Sequence, residues 1–353
     1  MSWDNVKGVS SAQIWTDNPD MTQAYLFANG NHQVKLTVGL SLTLSDATQP
    51  GPTEDEVKAA LTLVDYETGA GVRFIKTGAK GGYDYVYQPN MSATINVLSA
   101  SDTSNPGAYQ YELDYYVSSD STINANYASE KVALFLSYIN SSGTEVDYNT
   151  ASGSKSQSYV AVTVYPPKKY GTAGSSSTPV IIALKDDKPN YTNEQTANES
   201  NEKVSIYQLR IDDGYFRIIS FQANNTVQSP NPFTRRATNN SSGGAGHYPV
   251  WATYEAFLPV QNKINQGAAS YDSKLTITYN NNNYAYFSLT VTVNQEQNEI
   301  IFIHFYSEIN DTSEVGFVNN TSTASLFALD QFGNELNVIV SEDNDGIKID
   351  SVT

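Results

Sequence analysis

From Gln33 to Leu44 the chain reads QVKLTVGLSLTL, with Val34, Leu36, Val38, Leu40, Leu42 and Leu44 at every second position. Strand side chains alternate between faces, so this spacing lines one face with apolar groups and leaves Lys35, Thr37, Ser41 and Thr43 on the other. A ribbon with one dry face is not stable alone. Other strands must cover it with a second sheet or close a barrel over it. Gly39, in the middle of the run, reads as a bulge or as a bend between sheets.

The rest of the composition supports the same class. Only 16% of the residues are charged, well below the usual quarter of a soluble chain, and tyrosine occurs 25 times. Aromatic and β-branched side chains pack well on a pleated surface, which points to an all-β chain. Its 353 residues suffice for about two domains with separate cores.

Strand-like runs recur through the first half, at 61–66, 83–87, 109–117, 132–139 and 159–165. The 132–139 run is apolar on nearly every residue and reads as a central strand buried on both sides. One short helix is expected near residues 54–60. Thr53 and Glu56 there have the spacing of a capping box, whose side chains satisfy the free amides of a first turn. Such a density of strands fits an antiparallel β-sandwich, immunoglobulin-like or jelly-roll-like, over 23–165. Residues 1–22 lack a pattern of their own and read as an N-terminal arm. Trp3, Ile14 and Trp15 would seat that arm in a groove, either on its own body or on a neighbouring copy.

Pro166 and Pro167 end the first block, and 166–203 reads as a linker, with an edge strand at 180–184. A second sandwich is expected over 204–353. Its hairpins would be 204–221 across Asp212-Asp213-Gly214, 275–293 across four asparagines, and 325–340 around Phe332-Gly333-Asn334. Residues 223–248 form a long polar stretch carrying Arg235, Arg236, His247 and Tyr248, and loops of that length are commonly functional. These four residues are the candidate ligand loop.

Cysteine is absent, which removes disulfides, thiolate metal sites and thiol nucleophiles together. The net charge of −17 disfavours nucleic acid and anionic membrane surfaces as partners. From Ala237 onward thirteen Asp and Glu face three Lys, so most of that excess lies in the last third. No apolar run of about eighteen residues is present, so no transmembrane helix is expected. The first fifteen residues have no basic stretch followed by an apolar one, so no Sec-type signal peptide is expected either. Synthesis in the cytoplasm follows, with action in an inclusion, or extracellularly after lysis or specialised export.

Catalytic spacing is missing. The histidines His32, His247 and His304 lie in separate segments, without the close pairing that a zinc site uses. No nucleophile elbow occurs, and the adjacent acids Asp212 and Asp213 sit on a turn. The nearest match to a metal site is 342–346, where Asp343 and Asp345 precede Gly346 as in part of a calcium loop. The distal Glu of an EF-hand is lacking, so Ca2+ is a candidate ligand and no other cofactor is expected. Ten Asn-x-Ser/Thr triplets occur, at Asn140 among others, as the Asn-rich composition alone would produce.

The expected function is that of a non-catalytic interaction or structural protein. It would self-associate into a homo-oligomer or ordered particle, a phage-tail-like, secreted-particle or inclusion component, through its arm and sheet edges. The alternative is a toxin or receptor-binding factor recognising a cell-surface glycan or protein. Tyrosine mixed with Asn, Ser and Thr suits stacking on sugar rings, and a membrane-active variant would use the 275–293 hairpin.

Overall fold

The structure, a computed structural model, describes residues 2–18, 20–89, 109–119, 128–195, 199–223, 233–239, 250–259, 269–278, 286–296, 298–311, 323–343 and 346–353. Strands make up 58% of it and helical segments 4%, in several largely antiparallel sheets. The chain divides into two compact units. One comprises Met1–Lys168 with Phe332–Asn334, the other Lys169–Gln331 with Glu335–Thr353.

In the first unit a 3-10 turn at Ser2–Asn5 is followed by β1 (Val6–Thr16), β2 (Gln23–Phe27), β3 (Gln33–Leu44) and the helix α1 (Glu54–Ala60). Then come β4 (Leu61–Asp65), β5 (Lys76–Gly78), β6 (Tyr111–Ser118), β7 (Ala128–Ile139), β8 (Glu145–Asn149) and β9 (Val160–Tyr165). One sheet has the order β1-β3-β6-β5 and the other β2-β9-β7-β4, with β8 also paired to β7. The long alternating strand is β3. Its Val34, Leu36, Val38, Leu40 and Leu42 share one core with Leu113 of its own sheet. Leu26, Val132, Leu134, Leu136 and Val162 of the other sheet complete that core. Each such side chain contributes about 1.5–3 kcal/mol on burial, so β3 holds the two layers together. The apolar β7 is internal to its sheet, as its sequence implied.

The capping box on α1 is present. The Thr53 N–H donates to Glu56 Oε2 at 2.7 Å, the Glu56 N–H donates to Thr53 Oγ1 at 3.3 Å, and Val57 is buried beneath.

Four expectations for this unit differ from what is found. Residues 6–16, read as part of an arm without a pattern of its own, are a sheet strand, β1, paired to β3 along its length. Two bulges, between Val6 and Gly8 and between Val9 and Ser11, shift its register and hide the period-two pattern. Gly39 is neither a bulge nor a bend. It pairs regularly with Gln13 and Glu112, and a Cβ there would fall 2.5 Å from the Tyr109 ring and 2.8 Å from the Trp15 ring. Those rings stack with centroids 5.7 Å apart, so the glycine admits them. Residues 83–87 form no strand; the Tyr85 O–H donates to the Gly81 carbonyl at 2.8 Å, and the Tyr87 ring turns inward. The expected linker 166–203 is mostly strand and belongs to the second unit from Lys169 onward.

The second unit contains β10 (Tyr170–Gly171), β11 (Thr178–Asp186), β12 (Tyr191–Gln195), β13 (Glu199–Ile211), β14 (Ile218–Ala223), β15 (Phe233–Asn239) and β16 (Val250–Pro259). It continues with β17 (Ala269–Thr278), β18 (Tyr286–Gln295), β19 (Ile300–Asp311), β20 (Thr323–Asp330), β21 (Glu335–Asp343) and β22 (Gly346–Val352). The described strands form three sheets, ordered β10-β11-β13-β19-β16-β15, β12-β18-β17 and β14-β20-β21-β22. The expected hairpins β17–β18 and β20–β21 are present. The expected hairpin at 204–221 is not, because β13 pairs with β11 and β19 while β14 pairs with β20. Asp213 Oδ1 accepts the Tyr215 N–H at 2.8 Å, and this turn carries the chain from one sheet to another.

Gly39→Ala is expected to destabilise the first unit by about 1–3 kcal/mol through overpacking. Urea unfolding followed by tryptophan fluorescence checks this, and pairing the change with Tyr109→Ala should return part of the loss.

Candidate functional site

The most elaborate arrangement of polar and aromatic groups in the first unit starts at the turn between β2 and β3. Asn29 Oδ1 accepts the N–H groups of Asn31 at 2.9 Å and His32 at 2.7 Å, closing an Asx-type turn. Gly30 occupies the left-handed region there, with φ 76°, and donates its N–H to the Ser119 carbonyl.

This geometry leaves the amide nitrogens of two asparagines available for Phe332–Asn334. Asn29 Nδ2 donates to the Phe332 carbonyl at 3.0 Å and to Asn334 Oδ1 at 2.8 Å. Asn31 Nδ2 donates to the Gly333 carbonyl at 3.0 Å. Asn334 Oδ1 also accepts the Lys168 N–H at 3.1 Å. Gly333 has φ 73°, and a Cβ on it would fall 2.5 Å from Asn31 Cβ, so the middle of the turn admits glycine alone.

An aromatic cage completes the cradle. The Phe332 ring lies 5.8 Å from Phe27, 5.4 Å from Tyr87 and 4.9 Å from His32, centroid to centroid. Phe27, His32, Tyr87 and Phe332 are all buried. His32 Nδ1 accepts the Phe27 N–H at 3.0 Å, which places the neutral ring's proton on Nε2. Nε2 meets no acceptor at full hydrogen-bond geometry. Burial drives the His32 pKa down to about 3, and the nearby Asp84 backbone opposes this only in part. The imidazole is therefore neutral at physiological pH. The cradle grips a peptide turn and presents no activated nucleophile.

Elsewhere, buried acids are bound to structural partners. Glu130 on β7 accepts the backbone N–H groups of Arg73 at 2.8 Å and Phe74 at 3.0 Å. In the second unit, Asp330 accepts the Tyr170 O–H at 2.5 Å, and Glu299 pairs with Lys185 while accepting the Glu296 N–H at 2.6 Å. Asp65 caps its own turn through Thr68; that side-chain hydrogen bond is the largest cause of a pKa held below the ordinary carboxylate value.

The residues singled out from sequence fall as follows. Trp3 stacks on Tyr138 at 4.6 Å, Trp15 stacks on Tyr109, and Ile14 and Trp15 are buried. The three thus pack within the first unit, Trp3 remaining partly exposed. Arg235 and Arg236 lie on β15, in register with Glu255 and Tyr254, and so on a strand rather than in a loop. Asp343 ends β21, where its backbone pairs with Gly346 of β22. A Cβ on Gly346 would fall 1.9 Å from the Tyr207 hydroxyl, which therefore packs against that glycine. His247, Tyr248 and Asp345 lie outside the described residues. His304 sits in β19, buried, with its ring edge-on to Tyr207 at 6.0 Å. Among the described residues no group of three or more His, Asp and Glu is placed to hold a metal ion, and no helix is long and apolar enough to cross a membrane.

No family model matches the chain, and no curated protein does. A solved structure described as "Complete structure of manganese lipoxygenase of Gaeumannomyces graminis and partial structure of zonadhesin of Komagataella pastoris" is similar at 12% identity and a TM-score of 0.13. The match covers 98% of this chain and 93% of that one, and a likeness this slight carries no argument.

Phe332→Ala is expected to cost the first unit about 3–5 kcal/mol, the range for emptying a buried aromatic site. A Trp251→Phe background leaves Trp3 and Trp15 as reporters of that unit alone, so a fall in the urea midpoint of their fluorescence checks it.

Proposed function

We propose that this chain is a non-catalytic contact protein that self-associates into an oligomer or ordered particle through strand edges of its second unit. One observation carries the reading. β15 and β17 each end a sheet, paired on one side to β16 and β18 and to no further strand among the described residues. A long unpaired edge presents a row of N–H and C=O groups, a template for a strand of another copy. In the first unit the long end strand β1 is bulged twice, and the other end strands, β2, β4 and β5, have no more than five residues. The commitment of Glu130, Asp330 and Glu299 to structural partners supports a role without chemistry.

Acidity tunes such an assembly. Copies of net charge −17 repel one another, and salt screens that repulsion within about 10 Å at 0.1 M. Light scattering coupled to size exclusion is expected to show a mass that rises above 38.6 kDa with both concentration and salt. A constant 38.6 kDa under every condition would count against the reading.

A second reading, recognition of a cell-surface glycan, has one specific observation in its favour. Tyr85 and Tyr116, both half-buried, pair at 5.2 Å with Lys80 Nζ 5.9 Å from each ring centroid. Tyrosine faces of this kind stack on sugars. A glycan array on which wild type binds and Tyr116→Ala does not would favour this reading; equal binding, or none, would remove its support.

A further inference from the structure

We infer that the cradle around Phe332 is an acid-released clasp, in which proton uptake by His32 expels the imidazole from its cage and frees Phe332–Asn334 from the rest of the first unit. The geometry carries this. Nδ1 is the lone-pair site of the neutral ring, and it already faces the Phe27 N–H at 3.0 Å. A proton added there would set two donors against each other and break that bond. The ring is wholly buried against Phe27 and Phe332, so the resulting cation would have no water around it.

The groups that face the cage do not rescue the charge. The turn before β3 supplies Asn29 and Asn31, both neutral amides directed at Phe332–Asn334. The segment before residue 90 supplies Tyr83 beside Gly333, Tyr87 in the cage and the Asp84 backbone. β9 supplies Tyr165, 5.9 Å from Tyr87, and Lys168 takes part through its backbone amide. Burial, first, and the Asp84 backbone, opposing it, are what move the titration of the imidazole.

The sign follows. In the closed clasp the imidazole titrates near 3, and once hydrated it titrates near the ordinary 6.5. The open form binds more protons throughout that interval, so closure is fully favoured above 6.5 and weakens as pH falls toward 3. The shift is at most tenfold per pH unit within the interval. Phe332 is the side chain most affected, because leaving it in place keeps His32 dry.

The test is 19F NMR of the full chain labelled with 4-fluorophenylalanine, with the Phe332 resonance assigned by Phe332→Leu. That resonance is expected to move from a buried to a free position between pH 6 and 3.5, while the near-UV circular dichroism of the Trp15–Tyr109 stack persists. In His32→Gln, whose side-chain oxygen can still accept the Phe27 N–H, the movement should disappear. If that variant does not fold, 13C NMR of the wild-type imidazole replaces it, and His32 should become charged in step with the Phe332 shift. A Phe332 resonance that stays buried down to pH 3, release at the same pH in His32→Gln, imidazole titration out of step with Phe332, or simultaneous loss of the Trp15 signal would each overturn the inference.

Discussion

The first unit depends on one requirement, that the apolar face of β3 be kept dry along its whole length. Val34 through Leu42 achieve this by facing a layer built from β2, β4, β7 and β9, so neither sheet retains its core without the other. The demand propagates outward. The edge beside β3 is filled by β1, and the ring pair Trp15–Tyr109 lies over the same strand only because Gly39 has no side chain to obstruct it. The β3 entrance is fixed in turn by the Asn29 turn, which also positions His32 and the two amide groups that hold Phe332–Asn334. Core, edge and cradle are thus successive consequences of one alternating strand.

Sequence reading succeeded where the determining interactions are local. The period of β3, the Thr53–Glu56 capping box, the largely apolar 132–139 run of β7 and the hairpins β17–β18 and β20–β21 rest on residues a few positions apart. It failed where partners are remote or the ladder is irregular. β1 is masked by its bulges, and 204–221 looks like a hairpin although its halves pair with strands far along the chain. The cradle was invisible for the same reason: Asn29 and Asn334 are 305 residues apart, and neither carries a motif. A signal was nonetheless present in retrospect. Two short turns, each joining asparagine to a glycine, flank aromatic or histidine residues, and glycine at positive φ in both makes close backbone approach possible.

The placement of charge also separates structure from function. Among the described residues, the buried acids Glu130, Asp330 and Glu299 bond to backbone amides, a tyrosine hydroxyl and a lysine, pairings that fix local geometry. The remaining acidity lies in a chain of net charge −17, whose surface field acts on whatever approaches it. His32 stands apart from both groups. It is a titratable side chain with no role in an ion pair, held neutral by aromatic neighbours, and its burial links the packing of Phe332 to the pH of the surroundings.

The cradle is held by the seating of Phe332 against His32 and Phe27. The most direct measurement is a nuclear Overhauser spectrum of the full chain near neutral pH. It should give cross-peaks from the Phe332 ring to the His32 and Phe27 rings, as centroid separations of 4.9 and 5.8 Å require. A Phe332 ring with cross-peaks confined to its neighbours in sequence would contradict it.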